Sequence, residues 1–317
     1  MIDSKIKLIS IVIPVYLEEE NVPRLHKQLM EVAKLLPSAV EFVIVDDGSK
    51  DGTWPALVEA HRQDPRVRAV RLKRNFGQTP AMACGIDQAR GDVIITMDGD
   101  LQNDPADIPK LLEKLGEGFD VVCGWRYKRQ DKLFTRKIPS MIANRLIGAL
   151  TGVQLHDYGC SLKAYRAESI KRTPLYAELH RFIPAMATLT GASIAELRVN
   201  HRPRTFGKTK YNLSRTWRVA LDMTTVSLLV KSSARPLRFF GRGAILSALA
   251  GFACVARTWY WYITPHPNIP QVLPGIAVLF FWLAGNLLTV GLVAELCLAT
   301  VHQTPGQLLA AKKGDWE

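Results

Sequence analysis

The fold of this chain is decided by one stretch, Asp92-Val93-Ile94-Ile95-Thr96-Met97-Asp98-Gly99-Asp100. Its apolar and β-branched run predicts a buried strand, and the Asp-Gly pair that follows is typical of a turn. Two carboxylates one residue apart at the carboxyl end of a buried strand suit a hard divalent cation, Mg²⁺ or Mn²⁺. Ligands also bind at the carboxyl ends of strands in α/β sheets. We expect a metal site at Asp98 and Asp100, with a simple polar turn as the alternative.

Strand and helix patterns alternate on both sides of this stretch. Apolar runs predict strands at residues 8–16, 40–45, 67–72, 119–123, 161–166 and 194–199. Helical periodicity covers residues 22–36, 53–62, 77–89 and 104–115. Such alternation predicts an α/β domain with a mostly parallel sheet and right-handed crossovers.

A second acidic turn, Asp46-Asp47-Gly48-Ser49, ends the strand predicted at residues 40–45. A carboxylate there can accept hydrogen bonds from a nucleobase or ribose, and a turn with a helix cap is the alternative. Two acidic strand ends on one edge of a sheet favour a nucleotide site. The sequence lacks G-x-G-x-x-G after its first strand and lacks a P-loop motif, which disfavours NAD and P-loop ATPase chemistry.

The composition combines a net charge of +12 with 48% hydrophobic residues in 317. Residues 198–242 contain eleven Lys or Arg and one acid, Asp222, directly before the most apolar part of the chain. This arrangement is typical of a basic collar beside a membrane. Neither a zinc-finger spacing nor an RNA-binding signature is present, so we expect no nucleic-acid partner. The five cysteines include no C-x-x-C pair, and we expect them to be reduced.

The last third of the sequence predicts membrane association. Residues 212–231 form an amphipathic pattern that suits a helix in the membrane interface, with a soluble core helix as the alternative. Residues 239–263 and 272–301 each reach the ~20 residues needed to cross a bilayer. The Lys/Arg bias places the α/β domain and both termini in the cytoplasm and the Pro-rich turn outside. Glu295 is either a helix–helix hydrogen-bond partner or an interfacial residue.

Two further groups of residues admit more than one interpretation. Asp157, in Asp157-Tyr158-Gly159-Cys160, is a candidate base or orienting carboxylate, or a loop residue that caps its own backbone. Residues 202–211 combine Arg and Lys with a glycine, which suits phosphate binding or unspecific attraction to anionic lipids. Both interpretations hold if the substrate is itself a phosphorylated lipid.

The ordered set of motifs resembles the GT-A glycosyltransferases of family 2. The motifs are Ile11-Val12-Ile13-Pro14-Val15-Tyr16, Val45-Asp46-Asp47-Gly48-Ser49, Arg74-Asn75-Phe76-Gly77 and Met97-Asp98-Gly99-Asp100-Leu101-Gln102. Asp157-Tyr158-Gly159-Cys160, Arg204-x-x-Gly207-x-Thr209-Lys210 and the two spans narrow the resemblance to the polyprenyl-phosphate glycosyltransferases, relatives of dolichyl-phosphate mannose synthase. It covers nearly the whole chain.

The resemblance implies an architecture and a reaction. The architecture is a Rossmann-like GT-A domain (1–210), amphipathic juxtamembrane helices (211–236), two transmembrane helices (237–303) and a cytoplasmic tail (304–317). The reaction is metal-dependent, inverting transfer of a sugar from a UDP- or GDP-sugar to undecaprenyl or dolichyl phosphate. The partners are the nucleotide-sugar donor, the polyprenyl-phosphate acceptor and the membrane, and we also expect a homo-oligomer.

Residue roles are implied at matching positions. Nucleoside contacts fall on Pro14, Tyr16, Glu18 and Asp47. The residues implied to bind the metal and the diphosphate are Asp98, Asp100 and Gln102. Asp100 is therefore also implied to be catalytic. Lipid-phosphate contacts fall on Arg126, Arg136, Ser140, Arg204 and Lys210. Asp157 matches a carboxylate proposed as base in similar enzymes. Because a phosphate monoester is already largely ionised near pH 7, the alternative is that Asp157 only orients the reacting groups.

Two positions depart from the family pattern. Leu17 stands where the family usually has Asn, and Gly99 replaces the commoner Ala, which we expect to be harmless because that side chain need not bind metal. Three alternatives are a silent membrane-docked nucleotide-sugar binding protein, a soluble basic protein and a glycan synthase with another acceptor. A processive synthase is disfavoured because Q-x-x-R-W is absent and two spans are few for a channel.

Overall fold

The computed structural model describes residues 6–127, 145, 147–148, 152–171, 179–188, 191–203, 236–264 and 272–300. The chain divides into two compact units, Met1–Val230 and Lys231–Glu317. The predicted amphipathic helix at 212–231 and the predicted tail at 304–317 lie outside the described residues.

The first unit contains a seven-stranded sheet in the order β3-β2-β1-β4-β6-β5-β7. The strands are β1 (Leu8–Val15), β2 (Ala39–Asp46), β3 (Val67–Arg71), β4 (Val93–Thr96), β5 (Val121–Trp125), β6 (Lys163–Arg166) and β7 (Ile194–Arg198). All pairings are parallel except those of β6, which runs antiparallel to β4 and β5. The predicted mostly parallel α/β sheet is therefore confirmed.

Helices cover both faces of this sheet. The helices of the first unit whose bounds are described include α1 (Val22–Ala33), α2 (Thr53–Gln63), α3 (Gln78–Gln88), α4 (Ile108–Gly116), α5 (Ala167–Lys171) and α6 (Ile183–Ala187). Short 3₁₀ turns occupy Pro105–Asp107 and Leu179–Phe182. Asp104 caps the first of these turns by accepting from the backbone N–H of Ala106 at 3.1 Å, as its position before a proline predicts.

The core forms two layers because alternate residues of each strand point to opposite faces. Ile11 and Ile13 of β1 pack in the layer that holds α1 and α4, whereas Val12 packs in the layer that holds α3. Helix α3 approaches β1 closely at Gly85, where an added Cβ would lie 2.4 Å from Cγ1 of Val12. This close approach packs the second half of α3 against the middle of β1.

The described part of the second unit contains two long apolar helices, α7 (Pro236–Ile263) and α8 (Val272–Thr300). Pro236–Ile263 and Val272–Cys297 are long and apolar enough to cross a membrane, and 17% and 11% of their most apolar windows are buried. Core helices of soluble proteins are mostly buried, so this exposure favours lipid contact over the soluble alternative.

Polar contacts join the two apolar helices. Oγ of Ser247 donates to the carbonyl of Phe280 at 2.8 Å. The carboxylate of Glu295 accepts from the backbone N–H of Leu237 at 3.1 Å, so it caps the first turn of α7. Of the two alternatives for Glu295, this hydrogen bond supports the helix–helix partner. All five cysteines of the chain are free.

Candidate active site

The carboxyl ends of β1, β2, β4 and β5 carry most of the predicted site residues. Strand β1 lies between β2 and β4, so the two acidic turns flank its end. Pro14, Tyr16 and Glu18 are half-buried along this end. The backbone N–H groups of Leu17 and Glu18 donate to Ser49 Oγ and Thr53 Oγ1, both at 2.9 Å. The β1 turn is thereby fixed to the turn that follows β2.

Leu17 adopts a φ of +55°, in the left-handed region. Asn enters this region more readily than Leu because its short polar side chain makes local hydrogen bonds. The departure from the family's usual Asn therefore lies at a position where the backbone itself favours Asn.

Asp47 anchors the segment that precedes α3. Its Oδ1 accepts from the backbone N–H of Phe76 at 2.7 Å, and its Oδ2 accepts from that of Gly77 at 2.9 Å. Burial raises the pKa of Asp47 above its usual value, and the charge of Asp46 adds to the rise, although the two N–H groups oppose it. Gly77 has a φ of +101°, which glycine adopts without steric cost.

A cavity of about 500 Å³ opens beside these residues. Four cationic side chains occur among its lining residues: Lys50, Arg71, Lys73 and Arg74. Tyr16 and Asn75 also line it. A cavity of this size and charge suits an anionic, nucleotide-sized ligand, since Arg and Lys are the usual partners of phosphate.

Asp98 and Asp100 lie at the end of β4, as predicted. Oδ1 of Asp98 accepts from Nε2 of Gln78 at 2.7 Å, and its backbone N–H donates to Oδ1 of Asn103 at 3.1 Å. Oδ1 of Asp100 accepts from the backbone N–H of Gln102 at 3.2 Å. Burial raises the pKa of Asp98, and the charge of Asp100 adds to the rise.

Four residues around these carboxylates were missed by the sequence analysis: Gln78, Asn103, Ser161 and Arg181. Oγ of Ser161 donates to Oδ1 of Asn103 at 2.8 Å. The hydroxyl of Ser161 and the positive charge of Arg181 both favour the ionised form of Asp98. Gln78, Asn103 and Ser161 each directly follow one of the quoted motifs, whereas Arg181 follows none of them.

The carboxylates fit a divalent cation that shares its coordination with a substrate. Within the described residues, no three His, Cys, Asp or Glu side chains come together, so an all-protein cage is absent from that part of the chain. Mg²⁺ is commonly held by one or two carboxylates together with substrate phosphates. Asp98 and Asp100 provide such a pair, at the same edge of the sheet as the cationic cavity.

The absence of a side chain at position 99 has a steric explanation. An added Cβ at this position would lie 2.5 Å from Cγ1 of Val15, which is buried at the end of β1. Val15 therefore occupies the space that an alanine methyl at position 99 would need. Glycine lets Asp98 and Asp100 sit close against β1.

Arg126 and Asp157 form a buried ion pair at the end of β5. Nε of Arg126 lies 2.6 Å from Oδ2 of Asp157, and Nη2 lies 2.9 Å from Oδ1. Oδ1 also accepts from the backbone N–H of Gly159 at 3.1 Å. Although burial opposes the charged guanidinium, the hydrogen bonds and charge of Asp157 raise the pKa of Arg126 above its usual value.

The loop that carries Asp157 is held from two sides. Glu196 of β7 accepts from the backbone N–H groups of His156 and Asp157 at 2.9 Å and 3.0 Å. Nζ of Lys163, which is buried in β6, donates to the carbonyl of Tyr158 at 3.2 Å. Burial lowers the pKa of Lys163 and raises that of the neighbouring Cys123 to about 12.

The remaining predicted lipid-phosphate residues are Arg136, Ser140, Arg204 and Lys210. All four lie outside the described residues. Of that predicted group, Arg126 alone falls in the part of the chain that the structure describes.

The sheet and its acidic carboxyl edge define the GT-A class of Rossmann-like folds. Solved structures with this fold include glucosyl-3-phosphoglycerate synthase from Mycobacterium tuberculosis in complex with Mn²⁺, UDP and glucosyl-3-phosphoglycerate. The match has a TM-score of 0.54 at 18% identity and covers 70% of this chain and 79% of that one. At this identity the likeness concerns the fold alone.

The chain belongs to glycosyl transferase family 2, whose model matches residues 10–173. It is 43% identical over 305 residues to a dodecaprenyl-phosphate galacturonate synthase from Rhizobium johnstonii, covering 93% of this chain and 89% of the relative. It is 37% identical over 294 residues to an undecaprenyl-phosphate 4-deoxy-4-formamido-L-arabinose transferase from Yersinia enterocolitica, covering 92% and 88%. The predicted family and enzyme class, a glycosyltransferase, are confirmed.

Proposed function

We propose that this enzyme transfers a sugar from a UDP- or GDP-sugar to a membrane polyprenyl phosphate, with inversion at the anomeric carbon and with Mg²⁺ or Mn²⁺. The main observation in support of the proposal is the spatial order of functional groups along one edge of the sheet. The cationic cavity lies at one end, Asp98 and Asp100 lie in the middle, and Arg126 lies beyond them. The names of the two relatives support a polyprenyl-phosphate acceptor.

The donor end uses the nucleotide-sized cavity. Tyr16 and the segment around Asp47 contact the nucleoside, while the cations of the cavity wall offset the negative charge of the diphosphate. Asp98 and Asp100, with Gln102 beside them, hold the cation. When bound, the cation stabilises the charge that develops on the departing diphosphate.

The acceptor end uses arginine. Arg126 orients the lipid phosphate, together with Arg136, Ser140, Arg204 and Lys210, which the family resemblance assigns to the same task. One phosphate oxygen attacks the anomeric carbon from the face opposite the diphosphate. The second pKa of a phosphate monoester is about 6, so its dianion needs no proton removed at neutral pH.

Asp157 serves as an orienting group in this proposal. Both of its carboxylate oxygens accept hydrogen bonds from Arg126, and one accepts a further bond from Gly159. A carboxylate engaged in this way fixes the guanidinium plane, and the reaction does not need it as a base.

The location follows from the second unit. We place α7 and α8 across the membrane, with the catalytic unit and both termini on the cytoplasmic side, because Arg235, Arg238, Lys312 and Lys313 flank the spans at that end. The Pro-rich turn between the spans then lies outside. The predicted homo-oligomer stays a prediction that light scattering of the purified protein tests.

A donor screen tests the proposal. Full-length purified protein is incubated with undecaprenyl or dolichyl phosphate, Mn²⁺ or Mg²⁺, and a panel of UDP- and GDP-sugars that includes galacturonate and 4-deoxy-4-formamido-L-arabinose donors. Mass spectrometry of the lipid fraction should find one sugar residue added to the polyprenyl phosphate. Release of nucleoside diphosphate without a glycosylated lipid would contradict the acceptor assignment.

A further inference from the structure

Residues 76–78 connect the two acidic turns of the sheet edge. The backbone N–H groups of Phe76 and Gly77 donate to the two oxygens of Asp47, at the end of β2. The next residue, Gln78, donates from Nε2 to Oδ1 of Asp98, at the end of β4, at 2.7 Å. Because β1 lies between β2 and β4, these three residues cross the end of β1.

The position of Gln78 is fixed by its surroundings. It is the first residue of α3, directly after the left-handed Gly77. Helix α3 packs tightly on β1 through Gly85, whose Cα approaches Val12 too closely for a Cβ. The backbone is therefore held on both sides of Gln78, by Gly85 later in the helix and by the hydrogen bonds of residues 76–77 to Asp47.

A neutral amide is well suited to orient a carboxylate that binds a cation. It fixes the plane of the carboxylate by hydrogen bonding and adds no positive charge that would compete with the ion. Carboxylates that bind metals are commonly held by such outer hydrogen bonds, and loss of one typically weakens metal affinity 10–100-fold.

We infer that Gln78 is a positioning residue of the cation site, which holds Asp98 for metal binding and links that site to Asp47 through residues 76–77. This inference rests on the proposed role of Asp98 and Asp100. The ligand of the site is a divalent cation. The start of α3 thus has a positioning role that the motif residues alone do not provide.

The test measures Mn²⁺ binding directly. Mn²⁺ is titrated into detergent-purified full-length protein, and the free ion is followed by electron paramagnetic resonance. Gln78→Ala and Gln78→Met both remove the amide, and the Met variant keeps the length of the side chain. Gln88→Ala is the matched control, because Gln88 is an exposed glutamine at the other end of the same helix.

Both Gln78 variants should weaken Mn²⁺ binding by about 10–100-fold, whereas Gln88→Ala should bind like the wild type. In steady-state kinetics the KM for metal should rise and the KM for lipid phosphate should stay unchanged, with an unchanged melting temperature. A purely structural role would instead lower the melting temperature and leave metal affinity alone, and this result would overturn the inference.

Asp98→Asn separates the inference from the proposed function. If Asp98→Asn abolishes Mn²⁺ binding while both Gln78 variants bind as tightly as the wild type, the role of Gln78 is wrong and the metal site stands. If Asp98→Asn binds Mn²⁺ like the wild type, the metal site itself is wrong.

Discussion

Arg126 and Asp157 face each other in a two-pronged ion pair, with 2.6 Å from Nε to Oδ2 and 2.9 Å from Nη2 to Oδ1. The side chains are 14% and 7% exposed. The pair joins the end of β5 to the loop before β6, two parts of the chain that are 31 residues apart. Two residues that the family resemblance assigns to different tasks, lipid phosphate and base, are thus joined in one ion pair.

Asp157→Asn should cause a graded loss of activity. The amide keeps the shape of the carboxylate and still accepts one N–H group of Arg126, so we expect kcat/KM for the lipid phosphate to fall about 10–100-fold, or ~1.4–2.7 kcal/mol. The pH–rate profile should keep its dependence on the phosphate ionisation near pH 6. A transfer assay from pH 5 to 9 checks this.

Arg126→Lys is the companion variant, because lysine cannot form the two-pronged contact with Asp157. It should lose activity with the same pH profile. The opposite result would be an Asp157→Asn rate that is independent of pH and more than 10⁴-fold below that of the wild type. It would identify Asp157 as an obligatory base.

Gly99→Ala should perturb the acidic turn through Val15. The added methyl would lie 2.5 Å from Cγ1 of Val15, and overpacking of this kind costs about 1–3 kcal/mol. We expect a lower melting temperature and a higher KM for donor and metal. Because Val15→Ala alone leaves a cavity in the core, the double variant Val15→Ala/Gly99→Ala should lose less stability than the two single losses added together, and simple additivity would refute the steric explanation.

Glu41 should make stability depend on pH at the end of the sheet remote from the site. Its carboxylate accepts from Ser10 Oγ at 2.6 Å, from the Arg90 N–H at 2.7 Å and from Arg68 at 3.1 Å. Burial raises the pKa of Glu41, but these contacts outweigh it and lower the pKa below its usual 4.5. The ionised group therefore stabilises the fold above pH ~4.5, and this contribution is lost as the pH falls through the lower folded pKa.

Glu41→Gln should therefore lower the melting temperature at pH 7 by about 5 °C, which corresponds to ~2 kcal/mol for hydrogen bonds to a charged group. The difference from wild type should shrink as the pH falls below 4. The exposed Glu31→Gln serves as the control and should change little at either pH. A difference for Glu41→Gln that grows on acidification would show that the sign is wrong.

The proposed topology predicts which engineered cysteines a membrane-impermeant maleimide reaches in intact cells. Asn268→Cys, in the Pro-rich turn between α7 and α8, should be labelled from outside. Lys313→Cys, in the C-terminal tail, should be labelled only after the membrane is opened. The reverse pattern would invert the topology, and release of the wild-type chain into the supernatant by carbonate would remove the spans altogether.

The sequence predicts the strands and their acidic ends well because these signals are local. Apolar β-branched runs followed by Asp-Gly turns mark β2 and β4, and their carboxyl ends share an edge in any parallel sheet. The pattern does not reveal that β6 runs antiparallel between β4 and β5, since periodicity indicates that a strand exists but not its partner.

The site is harder to predict where it depends on contacts between distant residues. Asp98 and Asp100 stand out as a pair, but Gln78 resembles any other first residue of a helix until the fold places it beside Asp98. Similarly, nothing in the sequence indicates that Arg126 pairs with Asp157, or that Val15 excludes a methyl from position 99.

The central claim is that Asp98 and Asp100 hold the cation and donor diphosphate for transfer to a polyprenyl phosphate. The most direct measurement compares wild type with Asp100→Ala in a radiolabelled sugar-transfer assay with Mn²⁺ and the donor identified by the screen. We predict label in the lipid product for the wild type and a rate at least about 10³-fold lower for Asp100→Ala, or ~4 kcal/mol. Equal turnover by the two proteins would contradict the account.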